Sequence, residues 1–513
     1  MQKRIINWSF SICNVYLLYI TYRIPTQRND KNNMEQELLA FIARYVKEIQ
    51  NNNAAVFIGA GLSKSSGYVE WKNLLKNVAQ ELGLDITKEQ DLVSLAQYYY
   101  NENGNRSVIN ETIFEEFSQE RAISENHKIL SRLPISTYWT TNYDTLIEDA
   151  LLEVQKVVDV KHNNSHFSIT KPQRDAIVYK MHGDKSCPND AIIIKDDYEK
   201  YYRNHVPFLT ALSGDLISKT FLFLGFSFSD PNIDYILSRI RIDYGEENPK
   251  QHYAIMRNVQ ESDYPDKVDF EYAKRKHELF ISDLKRYNIK ALLIDDYAEI
   301  TKILHEIEKR INQKNIFISG SAAEYGDFNE KESSKFIQLL STSLIKNGYN
   351  LISGFGLGVG SDVIIGALNE IYMNCRTINK ERLLLRPFPQ GIENDDTRNK
   401  LWTQYREDMI SRAGISIFIF GNKRDSASGN IVYSNGVKSE YEIAKKHDNL
   451  IIPIGCTGYV AKEIWSDVAD NLEDFYPGID RKQLESAFNS LNVKCDLESL
   501  VQNVVDFIIL ISK

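Results

Sequence analysis

The sequence predicts an α/β protein made of two parallel-sheet domains in tandem. Three observations carry that expectation. At 513 residues the chain exceeds what one hydrophobic core ordinarily serves. From residue 54 onward, short apolar runs alternate with amphipathic helical runs, the rhythm of strands joined by crossover helices. A helical run at 297–312 then separates two such series, which places the boundary near Gln313. The expected domains are 34–312 and 313–513, with 1–33 as a leader.

The leader is ambiguous by composition. Residues 7–24 are rich in Trp, Phe, Tyr, Leu and Ile, but Ser9, Ser11, Asn14 and Thr21 interrupt them. A bilayer span needs roughly 20 mostly apolar residues, so this run is marginal. Lys3 and Arg4 precede it and Arg23 and Arg28 follow, so charge sets no orientation. A membrane segment, a disordered leader and a mis-assigned start before Met34 all stay open. From Met34 the pattern turns helical, with Leu38, Leu39, Ile42, Val46 and Ile49 expected on one face. The expected location is the cytoplasm, with membrane association through 1–33 as the alternative.

In the first domain, strands are expected at 54–58, 136–140, 176–180, 221–224, 253–256 and 289–294. Residues 83–131, including "LAQYYY", read as an inserted helical module. Ligands of open parallel sheets bind where loops leave the carboxyl ends of strands. The loops of interest are Gly59-Ala60-Gly61, "TTNYD" from Thr140, "MHGD" from Met181 and "GFSFSDPNID" from Gly225. Each alone has an ordinary reading as a turn, a helix cap or a loop residue. Together, at strand ends of one domain, they point to a single pocket.

The second domain is expected to hold the strands "NIFISG", "YNLISG", "LLLRPF", "ISIFIFG" and "LIIPIG", with helices at 334–346 and 362–371. Gly354, Gly356, Gly358 and Gly360 stand between a strand and a helix without meeting the Gly-x-Gly-x-x-Gly spacing. A dinucleotide-dependent dehydrogenase is therefore not expected. A loop that opens a helix still suits an anion, and a turn for close packing is the alternative.

Bulk charge narrows the partners. There are 61 basic and 70 acidic residues, a net −9, which argues against a sequence-independent grip on nucleic acid. Cys13, Cys187, Cys375, Cys456 and Cys495 are scattered with no Cys-x-x-Cys pair. This suits a reducing compartment, and no metal site is expected.

The ordered set Gly59-Ala60-Gly61-Leu62-Ser63, Thr140-Thr141-Asn142-Tyr143-Asp144, His182-Gly183 and Gly225-Phe226-Ser227 resembles the sirtuin-like NAD-consuming domains, over about 34–296. The resemblance implies a Rossmann-type parallel sheet carrying a helical insertion. It implies that Gly59, Ala60, Gly61 and Ser63 cradle the diphosphate of NAD+, and that Gly225 and Ser227 approach its adenosine end. Asn142 and His182 would be the catalytic pair, with Asp144 near the nicotinamide amide. The residue types suit the chemistry. A histidine can handle a proton, and a carboxamide can both donate and accept hydrogen bonds. Two departures stand out. The zinc cysteines of protein-deacylating sirtuins are missing, and "YVEW" (68–71) replaces Pro-Asp-Phe-Arg. Water is then the simplest acceptor. NAD+ would be consumed as substrate, with no cofactor.

The second domain resembles the SLOG family of Rossmann-like nucleotide-sensing domains through "FISGS", "SGFGLGVG", "YREDMI", "IFGNK" and "GVKSEYEIA". By that resemblance Ser319, Gly320, Gly354, Phe355, Gly356 and Leu357 would contact the ligand. Arg406 and Lys423 would meet its phosphates, and Glu440 would accept from a ribose hydroxyl. The pairing of the two domains resembles the effectors of the bacterial Thoeris anti-phage systems. That implies an NAD+ hydrolase activated by a cyclic ADP-ribose isomer from a TIR-domain partner, acting in defence by NAD+ depletion. It also implies a homo-oligomer, a tetramer or higher assembly. The competing expectations are an NAD-dependent protein deacylase and a non-catalytic nucleotide-binding scaffold that assembles on ligand.

Overall fold

The computed structural model describes residues 27–512 except 69–70, 229, 245–249, 375–381, 390, 393 and 426. The apolar run 7–24 lies outside the described residues. Among the described residues no helix is long and apolar enough to cross a membrane. The chain forms two compact units, one ending at Ile307 and the other spanning Glu308–Lys513. Both are α/β with parallel sheets, as the sequence predicts.

The first unit opens with the helix Gln27–Gln50. Its buried stripe is Phe41, Ile42, Tyr45, Val46 and Ile49, a helical spacing that seats one face inward. Leu39, expected on that face, is 45% exposed and points away from it. The Tyr45 hydroxyl donates to Ala55 O at 2.9 Å and ties the helix to the sheet.

The sheet has seven strands: β1 (Ala54–Ile58), β2 (Thr137–Thr140), β3 (Val158–Lys161), β4 (Ala176–Lys180), β5 (Thr220–Leu224), β6 (His252–Arg257) and β7 (Ile289–Ile294). Their order is β3-β4-β2-β1-β5-β6-β7, all parallel. β1 and β5 are buried at every position, which explains their continuous apolar text. β3 escapes the sequence reading because Asp159 and Lys161 break its apolar pattern. Inside the fold those two charges pair with each other at 2.9 Å.

Register matters most here. Leu224 pairs with Ile58, Ile58 with Thr140, and Thr140 with Lys180. Four neighbouring strands therefore end side by side, and their loops leave one edge together. β1 is followed by β2–β4 on one side and flanked by β5 on the other, so this edge is also the switch point of the sheet. Helices Leu92–Asn103 and Ser107–Ser118 pack a separate core of Leu95, Ala96, Tyr99, Ile109, Ile113 and Phe117 around Tyr68 and Tyr143.

The second unit holds β8 (Asn315–Ser321), β9 (Asn350–Ser353), β10 (Leu383–Leu385), β11 (Ile415–Phe420) and β14 (Leu450–Pro453), in the parallel order β10-β9-β8-β11-β14. An antiparallel pair, β12 (Asn422–Arg424) and β13 (Ile431–Tyr433), precedes the helix Asn435–Lys446 and was not anticipated. The helix expected at 334–346 begins at Glu330, because Asn329 and Glu332 form a reciprocal capping box. The helix expected at 362–371 runs Gly360–Asn374.

Candidate active site

The glycine turn after β1 owes its composition to a neighbouring backbone. A Cβ on Gly59 would lie 2.3 Å from the Gly225 carbonyl oxygen, and one on Gly225 would lie 2.2 Å from Leu62 N. The Gly59 and Gly61 amides donate to the carbonyls of Leu224 and Gly225 at 2.9 and 3.0 Å. Gly225 itself sits at φ 62°, a conformation glycine adopts without steric cost. The loops after β1 and β5 are thus zipped into one wall. Ala60 and Gly61 are exposed along it, and Ser227 is exposed at the loop surface.

The loop after β2 turns on Thr140, whose hydroxyl donates to Ile58 O and accepts from Asn142 N, both at 2.9 Å. This carries the Asn142 side chain toward β1. Its Nδ2 donates to Ser63 Oγ at 3.0 Å, and Ser63 Oγ donates to Asp144 Oδ2 at 2.8 Å. Asp144 Oδ1 accepts from Leu146 N at 3.1 Å, at the start of the helix Leu146–Glu153. Asn142, Asp144 and Ser63 are all buried, and Asn142 Oδ1 has no hydrogen-bond partner among the described residues.

His182 follows β4 by the same interval that Asn142 follows β2, so the paired register sets them on adjacent strand ends. Its ring stands edge-on to Tyr198, centroids 5.5 Å apart. His182 Nε2 faces Asp230 Oδ2 at 2.8 Å. Burial works against ionisation of Asp230, but His182 and the amides of Ile233 and Asn232 outweigh it and lower its pKa.

Asp230 was missed by the sequence reading, although its loop was singled out. An Asp-Pro pair opening a helix reads as a cap, and only the folded position across from β4 shows its second role. Asn232, on the same turn, carries a buried Nδ2 without a partner among the described residues.

Lys180 lies beneath both loops. It is fully buried, donates to the carbonyls of Tyr143 and Asp144 at 3.2 and 2.5 Å, and pairs with Glu148 at 2.9 Å and with Asp184. Burial opposes its charge, but the two carboxylates overcome that and raise its pKa. Glu148 is pushed up by burial, whereas Asp184 is held low by Lys180 and Ser186 despite burial. Behind Asp144, burial pushes His127 down to about 4, so this imidazole is neutral at physiological pH.

In the second unit, β8 and β9 approach as closely as the loops above. A Cβ on Gly356 would meet Gly320 O at 2.0 Å, and one on Gly354 would meet the Phe388 ring at 2.8 Å. Phe355 is held at φ 58° and is 48% exposed, and Leu357 is exposed. A cleft of about 780 Å³ is lined by residues that include Arg398, Trp402, Arg406, Lys423 and Asn435. Arg406 and Lys423 were anticipated; Trp402 and Arg398 were not. Glu440 accepts from Ser319 Oγ at 2.6 Å and from Arg406 Nε at 3.3 Å, so its carboxylate holds the arginine. Burial raises the Glu440 pKa against both of these donors.

Comparison with known proteins agrees with this division. Residues 136–283 match the SIR2-like domain family, and residues 299–511 match the Sir2- and TIR-associating SLOG family. The chain is 52% identical over 474 residues, 92% of its own length and 98% of the relative's, to NAD(+) hydrolase ThsA of Bacillus cereus (strain MSX-D12). It is 48% identical over 482 residues, 92% of this chain and 100% of the relative, to NAD(+) hydrolase ThsA of Acinetobacter baumannii (strain 532279). A more distant likeness, 27% over 218 residues, covers 40% of this chain and 21% of Defense-associated sirtuin 2 of Bacillus subtilis.

Proposed function

The chain belongs to the ThsA family of NAD(+) hydrolases, and from that premise we propose how its residues divide the work. The chain is an NAD+ glycohydrolase that acts in defence. Its first unit cleaves the bond between nicotinamide and ribose, with Asn142 and His182 at the reacting carbon. Its second unit binds a cyclic ADP-ribose isomer in the Arg406–Lys423 cleft and raises that activity.

One observation supports the assignment above the rest. Asn142, one of the two candidate catalytic side chains, keeps a buried Oδ1 with no hydrogen-bond partner among the described residues, and His182 beside it is held by the Asp230 carboxylate. An unmet buried polar atom costs about 1–3 kcal/mol, and a substrate or its attacking water would meet this one.

The chemistry follows from the leaving group. Nicotinamide departs with the bonding electron pair and becomes neutral, leaving a cationic, oxocarbenium-like ribose. A water oxygen then bonds to that carbon and gives up a proton. Asn142 Oδ1 accepts from the water or from a ribose hydroxyl and orients it. His182 takes the proton as general base, and the Asp230 carboxylate stabilises the imidazolium that forms. The wall of the β1 and β5 loops lies along the dinucleotide, which meets it at the exposed Ala60, Gly61 and Ser227.

Gating asks for modest energy. An effector shifts an inactive–active equilibrium only by its differential affinity for the two states, about 1–3 kcal/mol of coupling in typical cases. A TIR-domain partner supplies the effector, and assembly into a tetramer or larger oligomer sharpens the response.

The test is direct. The full chain is incubated with NAD+, with and without cyclic ADP-ribose isomers, and nicotinamide and ADP-ribose are quantified. His182→Ala and Asn142→Ala abolish release under this reading. Turnover that survives both substitutions overturns the site assignment, and turnover indifferent to every isomer overturns the gating.

A further inference from the structure

We propose that Asp144 and Ser63 are positioning residues that set the polarity of the Asn142 carboxamide. This rests on the reading of Asn142 as a catalytic residue. The three side chains form a line in which each donor and acceptor is forced by the one behind it. Asp144 is a carboxylate and can only accept. Its Oδ1 is taken by the Leu146 amide, and its Oδ2 takes the single hydroxyl proton of Ser63. With that proton committed, Ser63 Oγ can only accept from the next residue. The Asn142 atom facing it must therefore be Nδ2, which stands at 3.0 Å.

The consequence appears at the far end. With Nδ2 turned inward, Oδ1 is the atom left without a partner among the described residues. An oxygen there accepts a hydrogen bond from a water or ribose hydroxyl, and so raises the nucleophilicity or fixes the pose of the group. A turned-over amide would present N–H donors, which repel the proton of an attacking water. The two orientations have the same shape, so packing alone cannot choose between them. Asp144 chooses, through Ser63.

This assigns Ser63 and Asp144 a task apart from holding phosphate or nicotinamide. Burial agrees: Ser63 is 2% exposed and Asp144 5%, with both hydroxyl and carboxylate already engaged. The backbone is fixed independently, because Thr140 Oγ1 holds the Asn142 amide and Lys180 Nζ holds the Asp144 carbonyl. Changing the Asp144 side chain thus leaves the loop anchored while altering the sense of the line.

Asp144→Asn tests the idea with an isosteric change. The new carboxamide keeps its oxygen on the Leu146 amide and turns its NH2 toward Ser63. The Ser63 proton is then released toward Asn142, which reverses. The expected result, measured as NAD+ hydrolysis with cyclic ADP-ribose isomer present, is a kcat loss of about tenfold or more with KM within about twofold. Thermal unfolding is followed alongside.

The decisive variant is the double Ser63→Ala/Asp144→Asn. Removing the hydroxyl removes the reversing signal, so kcat rises above that of Asp144→Asn alone. A purely structural role gives the opposite, a double variant slower and less stable than either single. Ser63→Ala alone loses only part of kcat, because its Asn142 is no longer directed but is not reversed. This variant carries the test if Asp144→Asn does not fold. Full activity in Asp144→Asn, or a double variant that falls below it, overturns the proposal while leaving the hydrolase reading intact. A wild-type chain with no turnover overturns that reading and the proposal with it.

Discussion

The Lys180 ammonium donates to the Asp144 carbonyl oxygen at 2.5 Å, so one buried cation ties the strand that presents His182 to the loop that carries Asn142. The same ammonium pairs with Glu148 and Asp184.

Lys180→Met leaves two buried carboxylates facing each other without a cation. Breaking a buried pair by removing one partner costs about 3–5 kcal/mol. The expected outcome is an unfolding free energy lowered by that amount, seen as an earlier urea midpoint, with hydrolysis lost as the two loops separate. Chemical denaturation followed by far-UV circular dichroism measures it.

Asp230→Asn probes the other side of His182. General acid–base groups contribute about 10²–10⁴-fold to rate, so loss of the carboxylate that steadies the imidazolium is expected to lower kcat about 10–100-fold. The stability effect has a defined sign. The folded pKa of Asp230 is lowered, so its contribution is present above the unfolded carboxylate value of about 3.9 and is lost as pH falls through the lower folded value. Denaturation at pH 7 therefore shows the wild type ahead of Asp230→Asn, and the gap narrows as pH falls below the unfolded carboxylate value.

Gly59→Ala places a methyl 2.3 Å from the Gly225 oxygen, and the loop after β5 must yield. Overpacking of this kind costs about 1–3 kcal/mol. A displacement of about 1 Å in a catalytic constellation costs on the order of 10²-fold in rate. Activity is thus expected to fall far more than thermal stability, which paired kinetic and calorimetric measurements resolve.

Arg406→Ala and Lys423→Ala each remove a cation from the cleft of the second unit. A hydrogen bond to a charged group contributes about 1.5–3 kcal/mol, or roughly 10–100-fold in affinity. The cyclic ADP-ribose concentration for half-maximal hydrolysis is expected to rise by that factor in each, read from a titration of initial rates.

Much of the fold was legible because buried parallel strands are written as unbroken apolar runs. β1, β4 and β7 begin and end where the sequence places them. β3 was hidden because a strand whose charges neutralise each other internally looks like a loop, and Leu39 was misplaced because a helical face fixes period but not phase. Asn142 and His182 stood out by their position after strands. Asp230 and Lys180 did not, because their roles come from what lies opposite them in space. Aspartate before a proline and lysine at a strand end are both ordinary text. No single-sequence pattern encodes the pairing of Thr140 with Lys180, which brings the two loops to one edge.

The central strand β1 takes its partner β5 from much later in the chain, Ala54 beside Thr220. A ribosome must synthesise through Leu224 and release it from the exit tunnel before the wall along the dinucleotide can close. Until then the nascent polypeptide carries Asn142 and His182, the proposed catalytic pair, beside an incomplete sheet. Long-range contacts of this kind close late in folding, so on the proposed reading each copy gains its hydrolase site only after β5 has been made.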